Sequence, residues 1–245
     1  MNESGILESI GNGEKNLAIL VDPEKMEVDK ISAFAKAVTL AASNFLKNHN
    51  IHLTHLLVGG STMKGVDIEL WVATLKKHIK IPVVLFPGDE SQLTDTADGL
   101  LFLNLLSGRN PEYLAGTQVR AAKKLKNSTL EIIPTTYLLI DGGHESAVQR
   151  VTNTQPLQQQ GVSLISQTAY AGQLMGNRLT YLEAGSGALQ PVSTPVVKAV
   201  AMATNIPLIV GGGIRTIDTM QELFEHGASM IVVGTAFEEN LAWKG

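Results

Sequence analysis

Short apolar runs alternate with stretches of helical period along most of the chain. Asn16–Val21, His55–Val58, Val83–Phe86, Gly99–Leu103, a segment within Glu131–Ile140, Leu179–Glu183, Pro207–Val210 and Met230–Val233 each read as a buried strand. Between them apolar residues recur three and four apart. Ile31, Phe34, Ala35, Val38, Ala42 and Phe45 follow the first strand in this way, and Ile68, Trp71, Val72, Leu75 and Ile79 the second. Ile217, Met220, Leu223 and Phe224 mark a helix face before the last strand, and another helix fills Val162–Leu174. Thr194-Pro195 supplies an N-cap and a proline at the first helical position.

Continuous apolar strands separated by amphipathic helices imply a parallel sheet covered on both faces. Eight such units close most naturally into a single α/β domain, a (β/α)8 TIM-type barrel over residues 1–245. A doubly wound open sheet is the runner-up, but its G-x-G-x-x-G fingerprint after the first strand is absent. The pattern is irregular in three places. Glu90–Asp98 is too short for a crossover helix, so the third helix should be shortened or replaced by an irregular element. Pro134-Thr135-Thr136 interrupts the fifth strand and predicts a bulge or bend. Asp141–Gly161 is polar and glutamine-rich, with no readable period.

Composition narrows the function. With 245 residues, 44% hydrophobic and 17% charged, the chain matches an ordinary globular enzyme. The net charge is −4 and no basic stripe occurs, which argues against nucleic acid as a partner. There is no cysteine, so neither a disulfide framework nor a thiolate metal site can form. Neither a secretory signal nor a run long enough to span a membrane is visible, so a cytoplasmic location is expected.

In such barrels the reactive residues sit on the loops that follow the strands, at one face. That rule gathers Asp22, Ser61, Thr62, Asn104, Arg109, Glu183, Gly212, Gly213, Gly234 and Thr235 around one mouth. Glycine loops follow three late strands: Tyr181-Leu182-Glu183-Ala184-Gly185-Ser186-Gly187, Gly211-Gly212-Gly213-Ile214-Arg215 and Val233-Gly234-Thr235. Residues without a Cβ let backbone N–H groups approach an anion, which points to a phosphate ligand. Glycine-requiring βα turns are the simpler alternative. Asp22 either caps the next helix or ligates a hard cation such as Mg²⁺, supported by a hydroxyl of Ser61 or Thr62. Glu24 and Lys25 read as a solvated helix start, and His52 and His55 as structural. Glu183, on a buried strand end, either positions a substrate hydroxyl or acts as its general base.

Taken together, Leu20-Val21-Asp22-Pro23-Glu24-Lys25, Val58-Gly59-Gly60-Ser61-Thr62, Ser107-Gly108-Arg109-Asn110-Pro111-Glu112-Tyr113-Leu114 and the three glycine loops resemble the geranylgeranylglyceryl phosphate synthases, a group that includes bacterial heptaprenylglyceryl phosphate synthases. The match spans nearly the whole chain. It implies Mg²⁺-dependent transfer of a geranylgeranyl group from its diphosphate to the 3-hydroxyl of sn-glycerol 1-phosphate. On the resemblance, Asp22 and Ser61 correspond to the metal ligands. Tyr181, Leu182, Glu183, Ala184, Gly185, Ser186, Gly187, Gly212, Gly213, Gly234 and Thr235 correspond to the glycerol phosphate site. A barrel with an irregular third helix and assembly into homodimers or homohexamers are also implied. Some bacterial relatives carry a lysine where this chain has Leu20, which favours the geranylgeranyl branch over the longer-chain one. Another phosphate-binding barrel enzyme, a sugar-phosphate isomerase or synthase, is the competing reading.

Overall fold

A computed structural model of the protein describes residues 5–241 and 243. Eight parallel strands close into a barrel in sequence order, each hydrogen-bonded to the next and the last to the first. They are β1 (Asn16–Val21), β2 (His52–Val58), β3 (Val83–Leu85), β4 (Gly99–Leu105), β5 (Glu131–Leu139), β6 (Leu179–Glu183), β7 (Leu208–Gly211) and β8 (Met230–Val233). The open doubly wound sheet is thereby excluded. Nine α-helices occur among the described residues: α1 (Ile6–Ile10), α2 (Ile31–His49), α3 (Ile68–His78), α4 (Thr117–Leu125), α5 (Ala147–Thr152), α6 (Val162–Leu174), α7 (Thr194–Ala203), α8 (Ile217–Glu225) and α9 (Thr235–Glu239). The only helical element between β3 and β4 is a 3₁₀ turn, Glu90–Gln92.

Strand side chains alternate between two apolar layers because the pleat turns successive residues to opposite faces. Ala18, Leu57, Val84, Leu101, Ile133, Tyr181, Ile209 and Met230 fill the barrel, with Ile6 and Ile10 of α1 packed on the same cluster. Leu17, Ile19, Leu56, Leu100, Leu138, Leu182, Val210 and Ile231 pack outward against the helices, including Phe34, Val38 and Phe45 of α2 and Trp71 and Leu75 of α3. The α2 stripe differs from the sequence pattern by one position: Ala41 is buried, and Ala42 only packs at the edge of this core.

Two local expectations are corrected. The fifth strand has no bulge: β5 keeps one register against β4, from Glu131 opposite Gly99 to Tyr137 opposite Leu105. Pro134 is tolerated because its carbonyl points toward β6, accepting from the Arg178 N–H, before β6 pairing starts at Thr135. Its missing donor therefore falls where no strand partner exists. The register shift in this sheet lies instead between β1 and β2, at Leu17 and Ala18. At α7 the extended cap residue is Ser193, and Thr194 is already helical. His55 is structural as expected. His55 is buried between Ser9 Oγ at 3.0 Å and Thr54 Oγ1 at 2.9 Å, and burial lowers its pKa to about 4.

Candidate active site

The C-terminal ends of the strands open into a cavity of about 310 Å³. One end is polar and lies over β6, β7 and β8. Glu183 closes β6 and is only 6% exposed. Its Oε1 accepts from the Gly185 N–H at 2.6 Å, while its backbone is fixed by the Ile140 N–H. Burial pushes the carboxyl above the usual range, against smaller opposing effects from the Gly185 N–H and the Tyr181 hydroxyl. The glycines after β7 pack directly on this group. A Cβ on Gly212 would lie 2.6 Å from both Glu183 Oε1 and the Gly185 nitrogen, and the residue has φ +84°. Only glycine fits there without displacing the carboxylate. Across the mouth, Ser186 Oγ lies 3.3 Å from Thr235 Oγ1, linking the β6 and β8 loops. The first turn of α9 presents N–H groups of Thr235 and Ala236 that have no intrahelical acceptor.

Asp22 leaves the end of β1 and lines the same cavity. Its Oδ1 accepts from the Glu24 N–H at 3.0 Å within a turn. The helical segments that follow are capped by Glu27 and Lys30, so Asp22 does not cap the next helix as weighed from sequence. Its Oδ2 lies 3.9 Å from Lys25 Nζ, which makes its closer pair with Glu238 at 3.1 Å. Desolvation raises the Asp22 pKa, so the carboxylate is not fully compensated by its protein neighbours. Ser61 and Thr62 line the cavity from the β2 loop, but Thr62 Oγ1 is engaged by Glu24 Oε2 at 3.0 Å. Glu24 also accepts from the Lys64 N–H, tying the first and second loops together. Glu24 and Lys25 are exposed, as expected, but they lie in a turn rather than at a helix start and tie neighbouring loops together.

The other end of the cavity is apolar. Leu93, Leu100, Phe102 and Leu103 form one wall, Tyr113 and Ala121 a second, and Val148 and Val151 a third. Phe102 projects from the outer face of β4 yet stays half-buried, because the link from β3 brings no α-helix to cover it. The second wall belongs to a π-helical turn, Glu112–Gly116, that leads into α4. Arg120 of α4 clasps this turn to the β3–β4 link, with Glu112 at 2.5 Å and Glu90 at 2.7 Å. Below both ends, Phe86, Tyr137 and Tyr181 form an aromatic cluster; Phe86 and Tyr181 stack with centroids 5.1 Å apart.

Of the residues the strand-end rule brought together, Asp22, Ser61, Thr62, Glu183, Gly212, Gly213, Gly234 and Thr235 do line one cavity, as do Gly185, Ser186 and Gly187. Others in the expected glycerol phosphate stretch do not. Leu182 and Ala184 face the outer helix layer, as the alternation along β6 requires. Tyr181 is wholly buried inside the barrel. Its hydroxyl lies near enough to Glu183 to lower that pKa, yet it makes no hydrogen bond of acceptable distance and angle. Asn104 and Arg109 do not reach the cavity. Asn104 donates to the Leu114 carbonyl, and Arg109 to the carbonyls of its own turn. Sequence reasoning missed Lys25, Tyr137 and Ser146, Val148 and Val151 around α5. The last three fall in the polar, glutamine-rich stretch, whose short helix carries no extended period to detect.

Glycine loops at the ends of β6, β7 and β8, with a buried carboxylate among them, are the arrangement that phosphate-binding (β/α)8 barrels use. The chain belongs to the PcrB family, whose model matches residues 14–244. The geranylgeranylglyceryl phosphate synthase of Zunongwangia profunda is 48% identical over 233 residues, covering 95% of each chain. That of Flavobacterium johnsoniae is 44% identical over 96% of this chain and 93% of its own. Among solved structures, (S)-3-O-geranylgeranylglyceryl phosphate synthase from Thermoplasma acidophilum, in complex with substrate sn-glycerol-1-phosphate, aligns with a TM-score of 0.86. It is 31% identical, over 98% of this chain and 94% of that one.

Proposed function

We propose that the protein transfers a geranylgeranyl group from geranylgeranyl diphosphate to the 3-hydroxyl of sn-glycerol 1-phosphate, releasing diphosphate, in ether-lipid (phospholipid) synthesis in the cytoplasm. The observation that carries this reading is one cavity joining a glycine-lined end around Glu183 to an apolar groove over β4. A phosphorylated polyol suits the first end and a prenyl tail the second, since each buried CH₂ contributes about 0.8 kcal/mol. A sugar-phosphate isomerase or synthase would use the same loops but has no need of the groove.

In this reading the backbone N–H groups around Gly185–Gly187, Gly212–Gly213 and Gly234–Thr235 hold the glycerol phosphate, leaving its free hydroxyl toward Glu183. Holding both reactants makes a bimolecular step effectively unimolecular. Glu183 accepts the hydroxyl proton as the new C–O bond forms, and the allylic C–O electron pair leaves with diphosphate. Burial tunes the base upward, closer to working pH. Water is excluded by the aromatic floor and the groove walls.

The donor set at the opposite rim fits Mg²⁺. Among the described residues no group of three His, Cys, Asp or Glu side chains forms a metal cage. Mg²⁺ typically takes one or two protein oxygens and completes its shell with water and phosphates. Asp22, incompletely compensated, and Ser61 would hold it, and the ion would neutralise charge on the diphosphate. We also propose a homodimer or homohexamer, on the resemblance alone, which light scattering of the purified protein distinguishes.

Diphosphate release tests the function. It should require both geranylgeranyl diphosphate and sn-glycerol 1-phosphate, and depend on Mg²⁺. Release with a phosphorylated sugar in place of the prenyl donor, or release that is indifferent to glycerol phosphate, contradicts the assignment. An Asp22→Asn variant whose Mg²⁺ titration overlays the parent's removes Asp22 from the metal site. Donors from C10 to C35 establish the chain length.

A further inference from the structure

Gln92 is almost wholly buried in the link between β3 and β4, yet the reaction above makes no use of it. Its amide is fixed on backbone atoms of two loops. Nε2 donates to the Gly60 carbonyl at 3.0 Å, while Oε1 accepts from the Gly88 N–H at 3.1 Å and from the Gly60 N–H at 3.5 Å. Gly60 follows β2 and Gly88 follows β3, and the backbones of these loops approach closely along a seam that the Gln92 amide bridges. A Cβ on Gly88 would lie 2.7 Å from the carbonyl oxygens of Gly60 and Ser61. On the other side of the seam, a Cβ on Gly60 would lie 3.0 Å from the carboxylate atoms of Asp22. The Gly60 backbone is thus a spacer between Gln92 and Asp22, and its placement carries Ser61 with it. The turn bearing Gln92 is itself anchored from outside: Arg120 holds the Glu90 side chain and Lys124 Nζ donates to the Glu90 carbonyl at 2.9 Å.

A side chain that both donates and accepts inside the seam cannot be replaced by an apolar group without stranding buried backbone partners. If Gln92 were only a staple for the fold, its loss would affect both substrates alike. Its side-chain hydrogen bonds run only to the β2 and β3 loops, and none to the β6, β7 or β8 loops. We propose that Gln92 is a positioning residue for the prenyl diphosphate, holding the Gly60–Ser61 backbone against the Asp22 carboxylate. This rests on reading Asp22 and Ser61 as the diphosphate end of the cavity.

The test compares Gln92→Leu, Gln92→Glu and Asp22→Asn with the parent, using steady-state kinetics and calorimetric titration with inorganic pyrophosphate in Mg²⁺ buffer. Gln92→Leu should raise the KM for geranylgeranyl diphosphate and the pyrophosphate Kd by about 10-fold, with the KM for sn-glycerol 1-phosphate within about twofold. Gln92→Glu should show the same loss when ionised. Its ratio to the parent should approach one as pH falls, because the protonated acid again donates to the Gly60 carbonyl. That pH series carries the test should Gln92→Leu fail to fold. A parallel rise in both KM values, or a folded Gln92→Leu that binds pyrophosphate like the parent, overturns the proposal. Unaltered pyrophosphate binding in Asp22→Asn instead overturns the reading of this end as the diphosphate site, and the proposal with it.

Discussion

At the β6–β8 end the cavity is lined by glycine backbone and one carboxylate, whereas at the β4 end it is lined by apolar side chains. The first end sits on strand termini whose register is fixed by pairing on both sides, from Thr180 opposite Leu208 to Glu183 opposite Gly211. The second is assembled from a 3₁₀ turn, a π-helical turn and a helix of six residues, joined by a surface clasp. On the proposed reading, the proton acceptor stands on the end with regular strand pairing. On the same reading, a flexible hydrocarbon would occupy the irregular one.

The sharpest way to break this contrast is Glu183→Gln. Turnover should fall about 10²-fold or more while both KM values change little, because a group used mainly in the transition state is lost. The parent's kcat should rise with pH through the raised Glu183 pKa, a limb that the amide variant lacks. Stability should move the opposite way. A carboxyl with a raised folded-state pKa stabilises the fold below its unfolded pKa and loses that contribution as pH rises through the folded value. The Glu183→Gln variant should therefore melt above the parent at neutral pH, with the gap closing in the ordinary carboxylate range and below. Unchanged turnover would leave Glu183 a positioning role only.

Gly212→Ala is the next largest. The added carbon crowds Glu183 Oε1 and the Gly185 nitrogen and must adopt φ +84°. The KM for glycerol phosphate should rise about 10-fold, with a loss of stability of about 1–3 kcal/mol in chemical denaturation. Donor affinity unchanged in the same variant would confirm that the two ends are separable. At the groove, Val148→Asp places a charge against the tail and should raise the KM for the prenyl donor several-fold, leaving glycerol phosphate binding intact. Equal effects on both substrates would show the groove and the polar end to be one site. Arg120→Ala should be mildest: donor KM within about twofold, with any difference fading in 1 M salt, as for exposed ion pairs.

These regions also differed in how legible they were. The limits of β1, β6 and β8 follow from apolar runs bounded by polar or glycine residues, and Glu183 stands out as the one carboxylate in such a run. The boundaries of β2 and β4 did not. His52 and Asn104 are polar residues that pairing carries into strands, so the apolar run alone understates them. Lys25 is exposed as expected, but its partner, Glu238, is more than two hundred residues away and so was not visible in the sequence. Leu182 and Ala184 were placed at the site by a contiguous stretch, although the alternation of a strand sends one residue inward and the next outward.

The order of elements and the carboxylate among glycine loops are properties of local period and spacing. They required no knowledge of what packs against what, and the sequence by itself determined them. Closure of the barrel against the open-sheet alternative was decided by the strand pairing. The walls of the groove, the engagement of Thr62 by Glu24 and the seam held by Gln92 depend on contacts between segments far apart in the chain. No local pattern encodes which backbone carbonyl a buried amide will meet. That was decided only when the strands closed and brought the loops of β2 and β3 within hydrogen-bonding distance of one side chain.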